Sequence, residues 1–386
     1  MIYLDHNATT PLHPRALAAM EPFLRECWGN PSSPYRFGSE ARAAVELARA
    51  RIAGAIGSEP AEILFCASGT EADNLAVRGV ACALRSCGKH LVTSAIEHQA
   101  VWNTCRALEA EGHRVTYLPV SPDGVVDLEA LEASLGAETV LVTIMHASNE
   151  TGVVQPVEEI AAIARRRGIL FHTDAVQTAG KLPVQLAALG ADLVSFSGHK
   201  LYGPKGVAAL YVRAGTPLVP VMTGGTQERG LRAGTENVAA IVGFAEAAAV
   251  AFAEAAAEGR RLAALRDRFE AEVVAAVAGV RISGARAPRV PNTSSLSFAG
   301  ADGESIVLGL DLAGICVSTG SACSTGDAAP SHVLLAMGLS AHEAQGSIRV
   351  SLGRDTRQAD IDATVRALAE TVARLRHISS VRGETG

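Results

Sequence analysis

The chain has 386 residues, 48% hydrophobic and 19% charged, with a formal net charge of −6. That length supports a large core in two or three domains, two being the working number, and the acidic balance argues against a grip on a nucleic-acid backbone as the main activity. Seven cysteines with no C-x-x-C pair disfavour both a disulfide framework and a zinc cage, so no resident metal is expected. The first residues, Met1 to His6, carry an acid where a secretory leader has basic residues, and no uninterrupted apolar run of bilayer length is read. A soluble cytoplasmic protein, touching neither membrane nor nucleic acid, is the expectation.

In chain order, Asp5-His6-Asn7-Ala8-Thr9-Thr10-Pro11 is a polar loop, and Pro14 suits the first turn of a helix running through Met20. A turn cluster over 30–34 precedes Ser39, read as the cap of a helix to about Ile56. Strands are then expected at 63–66, 90–95, 115–120, 140–146, 169–174, 193–197 and 207–212, with helices over 71–85, 100–111, 128–135 and 157–167. Apolar strands alternating with helices make a mostly parallel, seven-stranded sheet covered on both faces. An Ala/Glu/Arg-rich helical region follows over 238–277, with a break expected near Gly259. Strands at 294–297, 316–318 and 348–351 complete an α+β layer. Residues 16–257 are assigned to a large α/β domain, and 1–15 with 258–386 to a smaller α+β domain.

Lys200 draws attention because Ser197-Gly198-His199-Lys200 ends the strand at 193–197, where α/β folds place ligands. An amine there can condense with an aldehyde cofactor, while Ser197 and His199 offer donors to a phosphate. Ser68-Gly69-Thr70-Glu71 opens a helix after another strand, so Gly69 and Thr70 stand at the positive end of its dipole. Asp174 closes the strand at 169–174, with Gln177 just beyond, and can pair with a protonated pyridine nitrogen. His98, past the strand at 90–95, can stack on a flat ring and move protons near neutral pH. Asn149 ends a further strand, and Arg349 alternates on a strand as a carboxylate clamp would. Cys323 lies in a loop of small residues, 318–327, which suits a nucleophile that collects a group and delivers it elsewhere. Taken singly, each reads equally well as a cap, a surface charge or a free thiol.

As an ordered set these motifs resemble the cysteine desulfurases, pyridoxal-phosphate enzymes of fold type I in the class V aminotransferase superfamily. The matching stretches are Tyr3-Leu4-Asp5-His6-Asn7-Ala8-Thr9-Thr10, Gly69-Thr70-Glu71-Ala72-Asp73-Asn74, Glu97-His98, Asn149-Glu150-Thr151-Gly152, Asp174-Ala175-Val176-Gln177, Ser197-Gly198-His199-Lys200, Glu228-Arg229-Gly230-Leu231-Arg232-Ala233-Gly234-Thr235 and Gly320-Ser321-Ala322-Cys323. The resemblance implies that Lys200 carries the internal aldimine, Asp174 holds the pyridine nitrogen, Gln177 contacts the ring hydroxyl and His98 is stacking acid/base. It gives the phosphate to Gly69, Thr70, Ser197 and His199, with Thr235 reaching the neighbouring subunit's cofactor in a homodimer. Asn149, which would also contact the cofactor, and Arg349 would hold the carboxylate of L-cysteine. Cys323 would keep its sulfur as a persulfide for an iron–sulfur scaffold or a thiolation enzyme, and would transiently ligate a cluster with a partner.

Three positions depart from the family pattern. Ser148 stands in place of asparagine, Thr226 in place of a third glycine, and Gly69 where alanine is usual. No longer scaffold-docking tail is expected after Arg382. A selenocysteine lyase, a class V aminotransferase and a non-catalytic cofactor-binding or sulfur-carrier protein are the alternatives.

Overall fold

The computed structural model describes residues 1–320 and 330–383. Its strands are β1 (Ile2–Tyr3), β2 (Ile63–Cys66), β3 (His90–Ser94), β4 (Arg114–Leu118), β5 (Thr139–Thr143), β6 (Leu170–Asp174), β7 (Leu193–Ser197), β8 (Ala208–Val212), β9 (Val280–Ile282), β10 (Thr293–Phe298), β11 (Ile315–Cys316), β12 (Ser318–Thr319) and β13 (Ser347–Ser351). Seven of them form a sheet in the order β2-β8-β7-β6-β5-β3-β4, in which β8 alone runs against its neighbours. β2, β3, β5 and β7 are buried along their whole length, as strands covered on both faces must be. β4, at the edge, is mostly half-exposed.

Helices Arg36–Ile56, Val157–Arg166 and Val238–Ala276 bury one face of this sheet in a core that includes Ile52, Ile160 and Phe244. Helices Gly69–Ala83 and Gln99–Ala110 cover the other around Leu75, Val101 and Leu141. A separate core, containing Leu4, Phe269, Leu296, Ile348 and Leu368, sits on the antiparallel sheet β12-β13-β10-β9. The chain's start joins this second core: β1 pairs with β11, and Asp5 bridges Ser351.

Several boundaries differ from the sequence reading. The helix at 36–56 begins at Tyr35, a turn before Ser39, whose hydroxyl donates to the Tyr35 carbonyl instead of capping. An Arg36–Glu40 ion pair and Phe37 packed edge-on against Trp28 support the extra turn. Helix Val238–Ala276 passes unbroken through Gly259, where one glycine costs only about 1 kcal/mol and leaves room for the Lys181 carbonyl. An 18-residue window of this helix reaches a mean hydropathy of 1.8, enough by length and composition to cross a membrane, yet 67% of it is buried inside the fold. The expected strand at 316–318 splits, because Cys316 pairs with Tyr3 while Ser318 pairs with Arg349.

Candidate active site

Parallel strands deliver their carboxyl ends to one edge of the large sheet, and a cavity of about 300 Å³ opens there. It is lined by Gly69, Thr70, His98, Asn149, Asp174, Gln177, Ser197, His199, Lys200 and Arg349, together with Asn7 and Asp73. Thr235 is exposed and is not among the lining residues. Cys323 lies outside the described residues.

One end of the cavity is built for an anion. Ser68 caps helix Gly69–Ala83 by accepting from the Glu71 amide at 3.1 Å, so its hydroxyl is already used. Gly69 and Thr70, the first residues of the helix, line the cavity, at an end where amides lack intrahelical carbonyl partners. Ser197 Oγ is buried there with no hydrogen-bond partner. A Cβ on Gly69 would stand 3.2 Å from Val176 Cγ2 and 3.5 Å from Ser197 Cβ, so glycine keeps this wall thin. Glu71 ties the loop down, accepting from Ala67 N at 2.7 Å and from Arg232 Nε at 2.7 Å. His199 adds a ring whose Nδ1 is 3.1 Å from Thr9 Oγ1, and burial with Lys200 and Lys205 nearby lowers it to about 4.

The floor of the cavity is acidic. Asp174 accepts from Val176 N at 2.8 Å, and burial lifts its carboxyl to about 6, against the opposing pull of that bond and of Lys200. Asp73, 1% exposed, is pushed well above the usual carboxylate range by burial and by Asp174. Donor atoms of Asp73, His98 and Asp174 lie within 4.8 Å of one another, a spacing that a metal ion could use. The same cavity presents Lys200 and Arg349, and we read the trio as an acid–base cluster. His98 caps helix Gln99–Ala110 through Nδ1, 3.1 Å from Ala100 N, so its neutral form carries the proton on Nε2. Burial, then Lys200, His332 and Arg349, lower it to about 4. The near-neutral titration expected from sequence is therefore displaced, and the ring is an uncharged base at pH 7.

The third side gathers cations and amides. Lys200 Nζ donates to the carbonyls of Asn7 and, at 2.7 Å, Ala8. The turn that aims it includes Tyr202 at φ 61°, a left-handed conformation rare for a bulky residue. Arg349, 1% exposed, donates to Asn149 O at 3.0 Å and Asp5 Oδ1 at 2.8 Å, while its Nε has no partner. Glu150, beside Asn149, takes a short hydrogen bond from Ser331, and burial raises it to about 7. His332 Nε2 is 3.0 Å from Glu97 O, so the chain just past residue 329 is tied to the segments that carry Asn149 and His98.

Sequence reasoning missed Asp73, Asn7, Lys181 and the Glu71–Arg232 pair. Asp73 lies one turn along the helix that Gly69 opens, on a residue type and spacing that could have pointed to it. No local signal marks the others: Asn7 and Lys181 meet across 174 residues of sequence, 3.1 Å apart.

Comparison with known proteins fits this geometry. The model of the family described as aminotransferase class-V matches residues 2–364. A protein of Dictyoglomus turgidum named cysteine desulfurase IscS is 49% identical over 99% of this chain and 97% of its own length. The chain belongs to the cysteine desulfurase family of class-V aminotransferases. A Trichormus azollae cysteine desulfurase is 45% identical over 100% of this chain and 96% of its own. Among solved structures, a NifS-like protein superposes on this family member with a TM-score of 0.90 at 39% identity, covering 97% of this chain and 99% of the other. SspA in complex with cysteine does so at 0.80 and 36%, covering 91% and 99%. The family explains why amine, carboxylate and phosphate-type loop meet at one sheet edge.

Proposed function

We propose that this protein is a pyridoxal-phosphate-dependent cysteine desulfurase that moves the sulfur of L-cysteine onto Cys323 and releases L-alanine. The convergence of Lys200, buried Asp174 and the unpartnered Ser197 hydroxyl on one cavity carries the reading. When bound, the cofactor supplies an aldehyde for amines and an electron sink for a substrate carbanion. The chain's groups fit it. Lys200 is the amine; Gly69, Thr70, Ser197 and His199 hold the phosphate, and Thr235 completes that site on a second copy of the chain in a homodimer. Asp174 holds the ring nitrogen, Gln177 the ring hydroxyl, and Asn149 with Arg349 the substrate carboxylate.

His98, neutral at pH 7, is placed to take and return a proton. The Cys323 thiolate takes the sulfur: an S–S bond forms, the substrate's C–S bond breaks, and protonation of the carbon left behind gives alanine. A cytoplasmic sulfur acceptor, an iron–sulfur scaffold or a thiolation enzyme, then draws on the persulfide. With this goes the division into a large domain, 16–257, and a small domain of 1–15 and 258–386, supported by two separate apolar cores.

The test is to load the purified protein with pyridoxal phosphate, add L-cysteine, and measure alanine, sulfide under reductant and the mass of the Cys323 peptide. Equal alanine and sulfide with one extra sulfur on Cys323 are expected. Lys200→Ala should abolish the cofactor's visible absorbance, whereas Cys323→Ser should keep it and lose the persulfide. Pyruvate with an amino-transferred product would overturn the reading in favour of an aminotransferase.

A further inference from the structure

We propose that Lys181 is a positioning residue of the cofactor site: it locks the Gln177 amide so that an N–H, and not the carbonyl oxygen, faces the cofactor's ring oxygen. This rests on the cofactor reading above. Lys181 Nζ donates to Gln177 Oε1 at 2.7 Å and to Asn7 Oδ1 at 3.1 Å. In both contacts the lysine nitrogen is the donor, so each places an amide oxygen toward Lys181. The edge that Gln177 has left is Nε2, now 3.1 Å from Asn7 O, at the cavity wall. Asn7, held by Lys181 and by Asn292 Nδ2 at 3.1 Å, turns its own Nδ2 to Asn149 O at 3.1 Å and Thr293 Oγ1 at 2.8 Å. Lys181 is thus the side chain that both amide oxygens share, with the Asn7 carbonyl and Asn292 completing the hold.

The arrangement is held against electrostatic cost. No carboxylate lies within ion-pair distance of Lys181 among the described residues, and burial, with Lys200 and Arg349 adding to it, pulls its ammonium well below the usual lysine range. What holds the amine there is its pair of amide-oxygen acceptors, Gln177 Oε1 and Asn7 Oδ1. An N–H toward the ring oxygen stabilises that oxygen's anion and weakens its hold on the neighbouring proton, so it favours the deprotonated form of the bound cofactor. A flipped amide would present a lone pair and keep the proton to higher pH. Loss of a nearby positive charge alone also raises the midpoint, but without passing through Gln177. The two explanations therefore differ in whether the effect survives a change at Gln177.

The visible absorbance of the cofactor-loaded protein is titrated with pH for wild type, Lys181→Met, Gln177→Leu and the double variant. Facing that proton are Asp73, Asp174, His98, His199 and Arg349, unchanged throughout. The midpoint should rise by about one pH unit, tenfold in proton affinity, in Lys181→Met. It should rise similarly in Gln177→Leu and no further in the double variant, whereas a charge effect alone would add to it. Lys181→Gln, too short to reach both oxygens, carries the same expectation should the methionine variant not fold. A midpoint that falls or stays, or two shifts that add, overturns the role of Lys181 and leaves the cofactor reading intact. A wild type that takes up no visible absorbance overturns both.

Discussion

Replacing Asp5 with alanine should both loosen the fold and weaken the substrate side of the site. The Asp5 carboxylate meets Arg349 Nη2 at 2.8 Å, with the arginine side chain 2% and the aspartate side chain 17% exposed. Removing one partner of a buried ion pair costs on the order of 3–5 kcal/mol, because the other charge stays buried. Partial exposure of Asp5 lets water compensate, so about 2–4 kcal/mol is expected here. The bonds to the Asp5 backbone carbonyl, from Tyr3 and Ala8, do not depend on the side chain. Urea unfolding of the cofactor-free protein, followed by circular dichroism, measures the loss. Asp5→Asn keeps an acceptor and should recover roughly half of it. In the loaded enzyme, KM for L-cysteine should rise more than kcat falls, because Arg349 loses its orientation. A change under about 0.5 kcal/mol for Asp5→Ala, with KM unaltered, would refute the claim that this pair positions the arginine.

His98 should titrate with a midpoint near 4 in the cofactor-free protein, read by NMR of labelled imidazole rings, and not near 6.5. Because its folded value lies below the unfolded one, its contribution to stability is complete above about pH 6.5 and is lost as pH falls toward 4. His98→Gln should flatten that part of the stability profile by up to about 1.4 kcal/mol per pH unit, and an unchanged slope would count against a buried neutral ring. Gly69→Ala should be tolerated. Its φ is not left-handed, and the nearest atom to the new Cβ is a methyl of Val176 at 3.2 Å. A gain of about 0.4–1 kcal/mol from reduced unfolded-state entropy is expected, partly offset by that contact. A loss above about 1 kcal/mol in thermal or urea unfolding would show that the wall cannot yield.

Much of the fold was written in local pattern. Runs such as Ile63-Leu64-Phe65-Cys66 and Leu193-Val194-Ser195-Phe196 read as strands buried on both faces, and the helical stretches between most strands give a mostly parallel sheet. Once the strands are parallel, residues just past their carboxyl ends share one edge, which is why His98, Asp174 and Lys200 were legible before any coordinates. Element ends were less so. Ser39 was read as a cap from its residue type, but the contact between Trp28 and Phe37 comes from tertiary packing and decides where that helix starts.

What the sequence determined by itself is therefore the sheet, its order of strand and helix, and the groups that carry charge and nucleophilicity to its edge. The tertiary structure alone decided how those groups are tuned. Burial moves Asp174 up and His98 down, Asp5 reaches Arg349 across 344 residues, and Lys181 sets the direction of the Gln177 amide. Periodicity and residue type act over a few neighbours, whereas desolvation and hydrogen-bond direction depend on which distant segments close over the site.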